Sequence, residues 1–277
     1  MHCQTKTNNN MVKESLSSLR KQIGISYLGE TKQSAKMMYS YENGTETYCL
    51  YLAPADMSGR NVCPNNIYCK AFCLNGAGRN KVDIFAHGKE ESIINKARIK
   101  KTNCFFDNHE LFMKTLILEI EKAKSHAEKN GLNFAIRLNG TSDLSPEQFM
   151  FNGNNILELF PTVQFYDYTK VPSRFDLIKK YPNYDLTFSF NGYNWSTCEQ
   201  FLKMGGKVAV VFENDLPKTF HGYNVIDANG YDMRFLDPKG TIMGLHYHRT
   251  ANDYINGKFV RPNSKFIVTS DDVNCEF

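Results

Sequence analysis

Apolar residues recur along this chain with two periods. Short runs rich in β-branched and aromatic residues predict strands at Thr47–Leu52, Asn133–Leu138, Thr162–Tyr166, Asp185–Phe190, Lys207–Phe212 and Tyr223–Ile226. From residue 133 on they return at roughly 20–30 residue intervals, the spacing of βα units. Val208-Ala-Val-Val-Phe212 is apolar without interruption, the pattern of a parallel strand buried on both faces. The helical period predicts helices over Met11–Gly24, with Leu16, Leu19 and Ile23 on one face, and over Ser92–Lys101. A long helix should run from an Asp107 or Asn108 cap to Lys129, with Met113, Leu116, Ile117 and Ile120 as its apolar face. Shorter helices are expected at Ser145–Phe151, Pro172–Lys180 and Thr197–Lys203.

Alternating strands and helices imply a parallel sheet, open or curled into a barrel. The expected fold class is α/β: a parallel-stranded, incomplete TIM-barrel-like domain over residues 47–240. A helical N-terminal extension (1–46) and a C-terminal extension (241–277) flank it. Residues 1–10, polar and Asn-rich, read as a frayed terminus. Asp232–Asp237 and Thr241–Leu245 read as a small appended hairpin region. Residues 251–277 read as a surface tail with an edge strand at Phe266–Thr269.

Composition narrows the classes. The net charge of +4 permits contact with nucleic acid without pointing to it. No apolar run reaches the length of about 18 residues that a membrane span needs, and the N-terminus lacks the apolar stretch of a signal peptide. The expectation is a cytoplasmic protein without a membrane partner, its eight cysteines thiols and ligands rather than a disulfide set. Cys3, Cys49, Cys104, Cys198 and Cys275 are scattered singly.

The other three share one loop, Cys63-x5-Cys69-x3-Cys73. Soft thiolates select zinc or iron–sulfur clusters. A structural zinc site needs four closed ligands, usually as two close pairs, and no second pair exists; Cys49, Cys104 or His87 would have to supply a fourth ligand from afar. An unpaired triplet favours a [4Fe–4S] cluster with one iron free, with zinc as the alternative and ordinary thiols as the plain reading.

Three further strand ends are polar. Arg137, Asn139, Thr141 and Asp143 follow or end one strand; Asp167, Tyr168 and Lys170 end another; Ser189 ends a third. Strand ends are where an α/β barrel keeps its site, although Asn, Ser and Asp also populate turns for backbone reasons. Arg137, in an apolar strand, needs a partner: Asp143, Asp167 or a ligand carboxylate. Tyr166 and Tyr168 share one strand face, available to stack on a base or to fill a core. Lys96, Arg98, Lys100 and Lys101 read as a solvated helix face or a phosphate contact. P-loop, G-x-G-x-x-G and G-x-S-x-G templates are absent.

A cysteine triplet after the first strand of a parallel α/β barrel resembles the layout of radical S-adenosylmethionine enzymes, whose usual spacing is C-x3-C-x2-C. The resemblance covers residues 47–240 in element order. It implies a [4Fe–4S] cluster on Cys63, Cys69 and Cys73, S-adenosylmethionine on its open iron, an electron donor, and a cofactor-derived radical that abstracts a hydrogen from substrate. It also implies that Arg137, Asn139, Thr141, Asp143 and Ser189 orient the cofactor while Tyr166, Asp167, Tyr168 and Lys170 face a substrate, a nucleotide or nucleic acid among the candidates.

A second resemblance is to the gene-product-88-like family of tailed-phage proteins, some labelled rolling-circle replication proteins. It is carried by Tyr51-Leu-Ala-Pro-Ala-Asp56, the cysteine loop with Gly78-Arg79, Ala97-Arg98 with Lys101-Thr102, Ile136-Arg-Leu-Asn-Gly-Thr-Ser-Asp143, Phe165-Tyr-Asp-Tyr-Thr-Lys170, Leu186-Thr-Phe-Ser189, Val208-Ala-Val-Val-Phe212, Val225-Ile-Asp227 and Arg234-Phe-Leu-Asp-Pro238. It implies phage origin and hence the host cytoplasm. Two alternatives stay open: a metal-dependent DNA-nicking enzyme using His246, His248 and Tyr166 or Tyr168, and a zinc-stabilised, non-catalytic protein that binds nucleic acid or protein.

Overall fold

The structure is a computed structural model that describes residues 14–256, 258–260 and 264–274. Cys3, Cys275, residues 1–10 and the start of the predicted Met11–Gly24 helix lie outside the described residues.

Among the described residues ten strands form one sheet. They are β1 (Gly29–Thr31), β2 (Thr45–Leu50), β3 (Asn133–Arg137), β4 (Gln164–Thr169), β5 (Tyr184–Ser189), β6 (Lys207–Phe212), β7 (Thr219–Phe220), β8 (Tyr223–Asp227), β9 (Ile242–His246) and β10 (Ile267–Val268). Their order is β1-β2-β3-β4-β5-β6-β9-β8-β7, and β10 pairs β6 beyond the end of β5. The strands β2 to β6, β9 and β8 run parallel; β1 and β7 are antiparallel edges. From β2 to β6 the spatial order is the chain order.

The helices arise where capping and pattern agree. α1 (Leu16–Ile23) starts at Ser15, whose hydroxyl accepts the Ser18 N–H, and stops at Gly24 in a left-handed conformation. α2 is Ala35–Glu42, α3 Gly78–His87, α4 Ile93–Asp107 and α5 His109–Lys129, the last capped by Asn108. α6 (Ile156–Leu159), α7 (Leu177–Lys180) and α8 (Trp195–Lys203) follow in the crossovers. Buried Glu119 of α5 accepts the N–H groups of Leu28 and Gly29, the Tyr48 hydroxyl (2.6 Å) and Arg20 Nε (2.7 Å), and so ties α1, α5 and the sheet edge together.

Three expectations need correction. Ser145–Phe151 is a short 3-10 turn at Pro146–Gln148 followed by a hairpin, Met150–Phe151 with Asn154–Asn155. Asn152 and Gly153 both have positive φ, the two-residue turn that an Asn-Gly pair favours. Ile242–His246 is an interior parallel strand between β6 and β8, not an appended hairpin. Lys101, expected on a solvated face, is 4% exposed.

The two sides of the sheet differ. Tyr48, Leu50, Ile136, Phe165, Leu186, Phe188, Val208 and Val210 share one side and join Phe112, Met113, Leu116 and Phe201 of the helices in the main core. The registers put Thr47, Cys49, Arg137, Tyr166, Tyr168, Thr187 and Lys207 on the other side. The small cluster of Ala209, Ala228 and Met243 lies at its far end.

Candidate functional site

The polar side centres on Asp232, in the segment between β8 and β9. Arg137 donates to Asp232 Oδ2 at 2.5 Å and lies 4.7 Å from the Tyr168 ring; the Tyr168 hydroxyl donates to Asp232 Oδ1 at 2.9 Å. Burial pushes the Asp232 carboxyl up, but Arg137, Lys36 and Arg234 outweigh it and hold the group below the usual range. Lys36 of α2 donates to the Ala228 carbonyl at 3.1 Å, and burial lowers its pKa. Arg234, fully buried, donates to the Tyr231 carbonyl and pairs with Asp237 at 3.1 Å. Lys207 bridges Asp185 (2.7 Å) and the Arg234 carbonyl. The hydroxyls of Thr47 and Thr187 and the Nε of Arg137 are buried without a hydrogen-bond partner.

The cysteine loop leaves β2 and crosses the C-terminal ends of its parallel neighbours. Gly140 N–H donates to the Leu50 carbonyl and Asp143 N–H to the Val62 carbonyl at 2.8 Å; Asn65 donates to the Lys170 carbonyl at 2.7 Å. Thus 50–65 is pinned to the segments after β3 and β4. Gly140 must be glycine here: a Cβ would meet Tyr51 at 2.5 Å and Cys49 Sγ at 2.9 Å. Cys63 Sγ accepts the Ala55 N–H (3.3 Å) and contacts the Thr141 carbonyl (3.8 Å). Its thiol is pushed up to about 12 by burial, with smaller effects of the same sign from Cys73, Asp143 and Cys69. Burial also raises the Cys73 thiol, against the neighbouring Arg98 and Lys170 cations. The described cysteines are all free thiols. Among the described residues no three His, Cys, Asp or Glu side chains converge as a metal cage.

Several of the expected site residues serve the framework. Asn139 is 2% exposed and fully engaged: it donates to the Leu144 carbonyl and Asp167 Oδ2, and accepts from Ser142 and Leu144 N–H. Asp167 therefore lies on the helix side, opposite Tyr166 and Tyr168, where burial pushes it up to about 7 against the hydrogen bonds from Asn139. Asp143 accepts from Thr169 (2.8 Å), from Lys170 N–H and from Arg174, so it is not the partner of Arg137. Thr141 donates to the Leu52 carbonyl at 2.6 Å. Ser189 is buried at the end of β5, and Lys170 stands 5.7 Å from the Phe266 ring. His246 ends β9 with Nδ1 near the Asn214 carbonyl; burial lowers the pKa of His248 two residues on.

Residues outside the expected site set join it. Arg98 of α4 donates to Asn75, two residues after Cys73, and lies 5.0 Å from the Tyr51 ring. Tyr51 in turn is hydrogen-bonded to the Cys49 thiol. Asp232 lies 95 residues from Arg137 and 64 from Tyr168, and only the fold unites them; Arg98 and Lys101 were visible as a basic stretch and in the family resemblance, without a sign that they turn toward the loop.

Among the described residues no helix is long and apolar enough to cross a membrane. No curated protein and no solved structure matches the chain. The family model for gene product 88 matches residues 9–260, nearly the whole chain, and the chain belongs to that family.

Proposed function

We propose that the chain is an iron–sulfur enzyme of the radical S-adenosylmethionine kind, its sheet an incomplete barrel. One observation carries the reading. The three-cysteine loop leaves the first parallel strand and lies over the C-terminal ends of strands that succeed one another in chain order. Active sites of parallel α/β barrels occupy that end.

The donor chemistry suits such a cluster. Cys63, Cys69 and Cys73 are free, soft donors, with Cys69 and Cys73 near enough to raise the proton affinity of Cys63, and Cys69 that of Cys73. Taking up iron means turning the thiols toward one another and releasing their protons, so loading should be pH-dependent. The cluster would supply one-electron chemistry to a bound nucleotide cofactor. The chain's own residues would do the rest. Arg98 and Lys170 would offset thiolate charge beside Cys73, and Gly140 would let Tyr51 and Cys49 approach. Arg137, Tyr166 and Tyr168 would line the polar interior next to the loop, where a nucleotide or other polar substrate would lie.

The test is purification without oxygen, followed by iron, sulfide and zinc content and cleavage of S-adenosylmethionine under a chemical reductant. A brown protein that cleaves the cofactor, and loses both properties in Cys69→Ala, is expected. A colourless protein with stoichiometric zinc would transfer the loop to a structural role.

A further inference from the structure

We propose that Arg98 and Lys101 form a subsite for a singly charged oxyanion, the carboxylate or phosphodiester of a ligand lying beside the cysteine loop. The inference goes beyond the cluster reading and does not require it. The two residues are three apart on α4 and so share a helix face. That face is turned inward: the Thr102 hydroxyl next to Lys101 accepts the Ala53 N–H at 2.9 Å and anchors it to the chain leaving β2.

Lys101 is 4% exposed, with its ammonium 4.8 Å from the Tyr27 ring. No hydrogen bond or ion pair engages that ammonium among the described residues. The Arg98 guanidinium lies between the Tyr51 ring and Asn75, against the stem of the cysteine loop. Glu30 of β1, half-buried, is the first carboxylate that both cations feel. Glu119 of α5 also faces Lys101, but it is already paired with Arg20. Two inward cations share this one carboxylate, which also accepts the Tyr27 hydroxyl, and a monoanion would balance the second positive charge.

A structural role would favour a different side chain. Desolvating most of a lysine side chain whose ammonium makes no hydrogen bond or ion pair is costly, and an apolar chain of similar length would pack at lower cost. Burial lowers the Lys101 pKa to about 8, with Arg98 acting the same way against Glu30, Glu119 and the Cys49 thiol. A bound anion would restore its proton.

The test is calorimetric titration and thermal unfolding of the full chain with acetate, dimethyl phosphate and a deoxydinucleotide, in wild type, Lys101→Met, Arg98→Lys and Arg98→Met. Wild type should bind at least one probe saturably, and the preferred probe distinguishes carboxylate from phosphodiester. Affinity should fall about tenfold between about pH 7 and pH 9 as Lys101 loses its proton. Lys101→Met should bind about tenfold or more weakly with a flat pH profile, yet unfold at the same or a higher temperature than wild type at pH 7. Arg98→Lys should retain binding that Arg98→Met loses. Failure of every probe to bind, equal binding by Lys101→Met, or a lowered unfolding temperature in that variant overturns the proposal.

Discussion

The same strands present two different faces. Toward α5 and α8 they carry Phe165, Leu186, Phe188, Val208 and Val210, packed with helix side chains into one continuous core. On the opposite face they carry Thr47, Arg137, Tyr166, Tyr168, Thr187 and Lys207, with charges paired to Asp232 and Asp185 and two hydroxyls left unsatisfied. Apolar burial explains the first face by itself. The second buries polar groups at a cost. Apolar packing and buried polar pairing are thus separated by the period-2 alternation of each strand.

Two aspartates, Asp167 buried and Asp232 partly buried, make the contrast concrete. Asp167, on the apolar face, is pushed up to about 7 by burial; Asp232, on the polar face, is held low by Arg137, Lys36 and Arg234 despite burial.

The largest expected effect is on the apolar face. Phe188→Ala should cost about 3–5 kcal/mol in denaturant unfolding, by lost transfer and a cavity, while leaving metal content per folded chain unchanged. On the polar face, Asp232→Ala strands a buried Arg137 and should cost about 3 kcal/mol; a double variant, Arg137→Met with Asp232→Leu, should recover most of that. Recovery failing in the double variant would mean that the pair is held by more than its own charges.

The pH dependence should divide the same way. Asp167, with a raised folded pKa, contributes stability that is present below the unfolded carboxylate value and lost as pH rises from about 4 through about 7. Asp232, with a lowered folded pKa, contributes stability present above the unfolded value and lost as pH falls below about 4. Unfolding measured across pH should therefore lose its neutral limb in Asp167→Asn and part of its acid limb in Asp232→Asn. The smallest effects belong to the orphan hydroxyls: Thr47→Val and Thr187→Val should change stability by less than about 1 kcal/mol, toward neutral or stabilising.

Much of the scaffold was legible. The run at 207–212 is apolar almost throughout and the run at 185–190 alternates strictly between polar and apolar residues, and both became central parallel strands. Asn108 and Gly24 marked helix ends through cap chemistry. Missed were β1, α2 and α3, because Gly29–Thr31 is three residues long, Ala35–Glu42 buries only Met37 and Ser40 and shows no apolar stripe, and Gly78–His87 leaves Val82 and Phe85 exposed. The cysteine triplet was plain from spacing. Its surroundings were not: a Lys/Arg run on a helix carries no sign of which members turn inward, and Arg137 found its carboxylate in a segment that only the return of β9 to the sheet brings near.

The central claim is that the cysteine loop at the C-terminal edge holds a redox cluster. The most direct measurement is iron and acid-labile sulfide per chain, with the visible spectrum, on anaerobically prepared wild type and the triple variant Cys63→Ala, Cys69→Ala, Cys73→Ala. About four irons and four sulfides in wild type, the content of a cubane cluster, and none in a folded triple variant, are expected. A colourless wild type that takes up no iron on reconstitution, or a triple variant that keeps its iron, would contradict the claim.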